Sequence, residues 1–103
     1  MKILKTTLND LYLIEPTMHK DKRGFFLETY NNKIYKKIIT EKLVQDNFCN
    51  SKKNGLRGMH FTTSPQSQLV TILNGIVFDV FVDLRKNSNT YGKWQGFELN
   101  SNK

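Results

Sequence analysis

The chain has 103 residues, with 16 Lys plus Arg against 9 Asp plus Glu, a formal net charge of +7 and a pI near 9.6. A chain of this length holds one core, so a single domain over residues 1–103 is expected, and 38% apolar content with seven Phe, four Tyr and one Trp excludes a disordered polypeptide. Most of the positive charge is Lys and no nucleic-acid-binding module is recognisable, no apolar run approaches the roughly 18–20 residues that span a bilayer, and no signal-type start precedes the lone Cys49; the expectation is a cytoplasmic protein without nucleic-acid or membrane partners.

In chain order, apolar alternation predicts strands near Leu11–Glu15 and Gly24–Tyr30, divided by the turn signal Lys22-Arg23-Gly24. Asn32–Thr40 reads differently: Ile34, Tyr35 and Ile38 recur at helical spacing with lysines between them, so one short helix is expected there. Strands then follow near Leu43–Phe48, Leu56–Phe61 and Gln68–Leu73, punctuated by Lys53-Asn54-Gly55 and Asn74-Gly75. From Ile76 to Arg85 the alternation is clearest. Ile76, Phe78, Val80, Val82 and Leu84 share one face, which suits a core; Val77, Asp79, Phe81, Asp83 and Arg85 share the other, which suits either a polar cavity or an outer solvated surface. A last strand is expected near Tyr91–Leu99. Short strands at this spacing indicate a sandwich or barrel.

The only histidines, His19 and His60, stand in no HxH pair and no Glu/His cluster, so no metal site is expected. Imidazole changes protonation near neutrality, which suits His60 to proton transfer, although a lone strand histidine is more often a hydrogen-bonded structural residue than a base. Alternation puts Arg57 and His60 on opposite faces. They serve one site only if the strand bends between them, which Gly58 permits. Gln45 and Asn47 share a face at period two and offer neutral hydrogen-bonding groups of the kind that sugar hydroxyls and base edges require. Arg23, Arg57 and Arg85 are the only arginines in a lysine-rich chain. The planar guanidinium grips phosphate or carboxylate through paired hydrogen bonds, so an anionic small molecule suits Arg23 and Arg57, while Arg85 beside Asp83 suits an internal acid partner.

Together, Asp21-Lys22-Arg23-Gly24-Phe25-Phe26-Leu27-Glu28-Thr29-Tyr30, Val44-Gln45-Asp46-Asn47, Leu56-Arg57-Gly58-Met59-His60-Phe61, Gln66-Ser67-Gln68-Leu69-Val70, Val82-Asp83-Leu84-Arg85 and Thr90-Tyr91-Gly92-Lys93-Trp94 resemble, in order and spacing, the dTDP-4-dehydrorhamnose 3,5-epimerase family. The resemblance implies an all-β, cupin-type jelly-roll barrel, here C-terminally shortened and with one short helix, that works as a homodimer on a nucleotide-linked 4-keto-6-deoxyhexose without metal or organic cofactor. It implies His60 as the base that removes protons from carbons 3 and 5. Arg23, Phe26 and Glu28 would contact the nucleotide from the partner subunit, and Gln45, Asn47 and Arg57 would hold the diphosphate and sugar. Gln68 stands where the family carries a lysine, and so brings a hydrogen-bond donor without its charge. The family's proton-donating tyrosine and base-orienting aspartate belong to a segment later than Lys103. A second reading is a shortened, non-catalytic paralogue that binds nucleotide sugar or only dimerises.

Overall fold

A computed structural model describes residues 1–101. Its regular elements are β1 (Lys2–Lys5), β2 (Tyr12–Glu15), β3 (His19–Asp21), β4 (Gly24–Phe26), α1 (Asn32–Tyr35), β5 (Ile76–Val82) and β6 (Trp94–Asn100). The strands pair antiparallel as three hairpins, β1 with β2, β3 with β4 and β5 with β6. The all-β expectation holds. Closure into a barrel is not displayed by these residues, which form three separate two-stranded sheets. The Cα radius of gyration, 15.0 Å, exceeds the about 13 Å of a compact domain of this size, so the framework is open.

The three expected strands between α1 and β5 are the main departure. Leu43–Phe48, Leu56–Phe61 and Gln68–Leu73 adopt no regular strand structure, and the only backbone-to-backbone hydrogen bond within residues 41–73 is Gly55 N–H to the Lys52 carbonyl, 3.0 Å, closing the expected turn. A strand exists only through a ladder partner, and none of the described residues supplies one. Their apolar side chains consequently face solvent, Phe48 at 80% and Leu56 at 93% exposure. The helix is also shorter than its periodicity suggests. Asn31 caps it by accepting from Lys33 N–H at 3.0 Å, and after Tyr35 the chain continues only as turns, Ile38 and Ile39 N–H both reaching the Tyr35 carbonyl. Strands β1 and β3, which sequence reading missed, are the partners that allow β2 and β4 to exist.

In β5–β6 the two faces exchange their expected roles. Apart from half-buried Val80 the uniformly apolar row is exposed, with Phe78 at 66% and Trp94, the β6 partner of Val82, at 65%, whereas Asp79, Phe81, Phe97 and Gln95 are half-buried, Phe81 and Phe97 with ring centroids 6.3 Å apart. The mixed face wins because it is the one that meets the β1–β2 loop: Thr7 donates from its N–H and its Oγ1 to Gln95 Oε1 at 3.1 and 2.7 Å. Burial pushes the Asp79 carboxyl up from its ordinary range.

Below this sheet sits a buried carboxylate. Asp83 accepts at Oδ1 from Arg85 N–H and Nε, both at 3.0 Å, and at Oδ2 from Arg85 Nη2 (3.1 Å), Ser88 Oγ (2.6 Å) and Thr90 Oγ1 (2.5 Å). Arg85, paired with an acid as expected, also reaches across to the β1–β2 loop, giving Nη1 to Asp10 Oδ2 and Nη2 to the Asn9 carbonyl, each at 2.7 Å. Asp83 and Thr90 are buried, and Leu8 in the β1–β2 loop is, among the described residues, one of two buried apolar residues, the other being Tyr35. Arg85 first, then Ser88 and Thr90, hold the Asp83 carboxyl far below the ordinary carboxylate range. A lowered native pKa means that its stabilisation is complete above the unfolded value of about 4 and is lost only as the solution becomes strongly acid.

Asp83→Ala strands the Arg85, Ser88 and Thr90 donors and should lower unfolding free energy by about 3 kcal/mol, read from the urea midpoint. Asp10→Ala removes only a solvent-exposed bridge and should cost less than about 1 kcal/mol.

Candidate functional site

Arg23, Phe26 and Glu28 lie on and just after the β3–β4 hairpin. The turn is secured by Asp21, whose Oδ1 accepts Arg23 N–H (2.8 Å) and whose Oδ2 accepts Arg23 Nε (3.1 Å) and Nη2 (2.6 Å); these bonds hold its carboxyl below its ordinary range. One edge of the Arg23 fork is thus committed to Asp21, leaving Nη1 and the far side of Nη2 for a ligand. The hairpin borders a hollow of about 450 Å³ lined by His19, Lys20, Asp21, Arg23, Gly24, Phe25 and Phe26. Glu28 faces an aromatic pair: Tyr30 stacks on buried Tyr35 with centroids 5.5 Å apart, and burial first, then the Glu28 charge, raises the Tyr35 phenol above its ordinary value.

Gln45, Asn47, Arg57, His60 and Gln68 lie on the extended segments. Gln45 Nε2 donates to Asn47 Oδ1 at 3.2 Å, so the two amides stand side by side as their period-two spacing predicts. Arg57 is anchored from behind, Nε to Ser51 Oγ at 2.8 Å and Nη2 to the Asn50 carbonyl at 3.3 Å, with Nη1 left over. Next to it Gly58 has φ +135°, a conformation that only glycine adopts without strain. His60 and Gln68 are exposed. Ser67, beside Gln68, donates to Glu41 Oε2 at 2.6 Å, tying the start of the first extended segment to the last.

The structure therefore gathers Gln45 with Asn47, seats Arg57 on Asn50 and Ser51, and sets Arg23 with Phe26 on one hairpin. Among the described residues no hydrogen bond or ion pair ties that hairpin to Gln45, Arg57 or His60. Sequence reading missed Asn50 and Ser51, because a carbonyl and a hydroxyl several residues upstream of Arg57 carry no periodic signal. No group of three His, Cys, Asp or Glu side chains assembles as a metal site among the described residues, and no helix there is long and apolar enough to cross a membrane.

The described residues form an all-β framework with basic groups on the β3–β4 hairpin and amide groups on the irregular segment between α1 and β5. The family model for dTDP-4-dehydrorhamnose 3,5-epimerase matches residues 5–103, and the chain belongs to that family. The dTDP-4-dehydrorhamnose 3,5-epimerase of Methanothermobacter thermautotrophicus is 46% identical over 100 residues, 95% of this chain and 54% of that protein. The crystal structure of the epimerase from Elizabethkingia anophelis superposes with a TM-score of 0.85 at 45% identity over 99% of this chain and 58% of its own. The Legionella pneumophila epimerase, solved in complex with dTDP-4-keto-L-rhamnose, gives 0.87 at 44% identity over 98% and 55%. The chain thus spans somewhat more than half the length of these relatives, and its irregular middle follows the path of a cupin-type fold without the ladder.

Gly58→Ala cannot keep φ +135° without about 1–3 kcal/mol of backbone strain. Amide NMR signals of Arg57, Met59 and His60 should shift while those of β5–β6 stay in place.

Proposed function

We propose that this chain supplies the base and most of the substrate grip of a cofactor-free epimerase acting at carbons 3 and 5 of a nucleotide-linked 4-keto-6-deoxyhexose. The observation that carries the reading is the family relationship together with a keto-sugar nucleotide bound on the same framework in the Legionella relative. The chemistry fits the residues. A 4-keto group acidifies the hydrogens on both neighbouring carbons, and the charge of the resulting enolate falls on the ketone oxygen. His60, the imidazole beyond Gly58, accepts each proton. Arg57 offers Nη1 to the diphosphate from its fixed seat on Ser51 and Asn50. The paired amides of Gln45 and Asn47 address the sugar side, and Gln68 donates a neutral hydrogen bond toward the ketone oxygen, which lowers the barrier less than a cation would.

We read the molecule as a homodimer in which Arg23, Phe26 and Glu28 close the neighbour's pocket, as the family resemblance implies. The chain is read as one domain working in the cytoplasm, with a sugar nucleotide rather than a nucleic acid or a membrane as its partner.

Any entry of solvent deuterium at positions 3 and 5 of dTDP-4-keto-6-deoxyglucose in the presence of the chain should be lost in His60→Ala. Incorporation that survives His60→Ala would overturn the assignment. Calorimetry should show thymidine diphosphate affinity falling about tenfold or more in Arg57→Ala, the loss expected of a charge-assisted bond.

A further inference from the structure

Two Asn-Gly pairs occur in the chain, Asn54-Gly55 and Asn74-Gly75, and they sit in different surroundings. An asparagine followed by glycine is open to intramolecular attack, because the glycine nitrogen has no neighbouring side chain to block its approach to the asparagine amide carbon. Gly75 lies at the foot of β5–β6. Its N–H donates to Ser101 Oγ and its carbonyl accepts Ser101 N–H, both at 3.1 Å, so freeing its nitrogen means fraying the main ladder. Gly55 is held by its N–H to the Lys52 carbonyl at 3.0 Å, the only backbone-to-backbone bond within residues 41–73, and Asn54 is exposed at φ +65°. A turn with no ladder beside it opens locally at low free energy. This turn also lies inside the loop that Arg57 closes on Ser51 and Asn50, Nε to Oγ at 2.8 Å and Nη2 to the carbonyl at 3.3 Å.

We infer that Asn54 is a site of spontaneous self-modification, deamidation through the Gly55 nitrogen, whose isoaspartate product loosens the seat of Arg57. In the opened turn the Gly55 nitrogen gives its proton to hydroxide and bonds to Asn54 Cγ. The Cγ–Nδ2 bond breaks, and Nδ2 takes a proton from water and leaves as ammonia, closing a five-membered imide. Water then adds at one of the two imide carbonyls and one C–N bond opens. Opening at Cγ gives aspartate. Opening at the backbone carbonyl gives isoaspartate, in which the main chain runs through the former side chain and gains a methylene. Nothing is oxidised or reduced; the sum is water in and ammonia out. The longer main chain falls between Arg57 and both of its anchors, and the new carboxylate stands three residues from a guanidinium whose Nη1 is left over. The consequence for thymidine diphosphate rests on the reading of Arg57 as a diphosphate contact; the modification itself does not.

The test ages the full 103-residue chain in warm, mildly alkaline buffer and maps isoaspartate by peptide digestion and labelling with isoaspartyl methyltransferase. The label should accumulate at position 54 about tenfold faster than at position 74, the ratio produced by about 1.4 kcal/mol of difference in opening free energy. Asn54→Gly keeps a residue suited to positive φ and removes the reactive amide, so its label at position 54 should be absent. On ageing, the amide signals of Ser51 and Arg57 should shift in the unaltered chain and stay in place in Asn54→Gly, and thymidine diphosphate affinity should fall toward that of Arg57→Ala in the former alone. Equal labelling at the two positions, or none at position 54, overturns the site. Labelling at position 54 with unmoved Ser51 and Arg57 signals overturns the link to Arg57. A fresh chain that binds no thymidine diphosphate overturns the function reading, while the label and the amide signals still decide this inference.

Discussion

A single buried carboxylate organises the ordered part of this chain. Asp83 follows the end of β5 into a site that leaves it 6% exposed, and an ionised group there is stable only if its lone pairs are filled. Arg85, Ser88 and Thr90 fill them, and in doing so they fold the segment between β5 and β6 back on itself. The backbone repeats the arrangement, with Asp83 N–H to the Lys93 carbonyl at 3.0 Å and Gly92 N–H to the Asp83 carbonyl at 2.8 Å. Because Arg85 has donors to spare, the same centre captures Asp10 and the Asn9 carbonyl, and the β1–β2 loop is locked to the β5–β6 hairpin across more than seventy residues of sequence.

That lock decides which face of β5–β6 is covered. With the β1–β2 loop pinned on the side of Asp83, Gln95 and Phe97 are sheltered and the apolar row of Ile76, Phe78, Val82 and Trp94 is left outward. The residues read as substrate-binding fall on the opposite kind of structure, extended segments and a projecting hairpin whose groups are held by local bonds. Arg23 is held by Asp21, Arg57 by Ser51 and Asn50, and Gln45 by Asn47. Each arginine spends part of its fork on its own neighbourhood and keeps the remainder free. This arrangement fixes the direction of a long side chain at little entropic cost when an anion arrives.

The same division is visible against the longer relatives. The framework superposes at TM-scores of 0.85 and above over nearly the whole chain, yet the chain spans somewhat more than half of those proteins. Cupin-type geometry is therefore retained in the path of the backbone, while the ladder that turns a path into a sheet is made only where both partners lie among the described residues, as in the three hairpins.

Several features were legible in the residues alone because their causes are local. Alternation over Ile76–Val82 located β5, Lys22-Arg23-Gly24 located a hairpin turn, the Gln45–Asn47 spacing located a pair of touching amides, and Arg85 beside Asp83 located an ion pair. The motif order also pointed to the family that the comparisons establish. What alternation could not decide is whether a strand-like segment finds a partner, since a hydrogen-bond ladder is a property of two segments and the pattern belongs to one. Leu43–Phe48, Leu56–Phe61 and Gln68–Leu73 carry the pattern and remain unpaired, and β1 and β3, with weaker patterns, are paired by their neighbours. Nor could it decide which face of β5 is buried, because both faces hold apolar residues and the covered one is the face that the distant β1–β2 loop meets through Thr7 and Gln95. Local chemistry is written in the sequence; the partner of each strand and the covered face of each sheet were settled only when distant segments competed for the same hydrogen bonds.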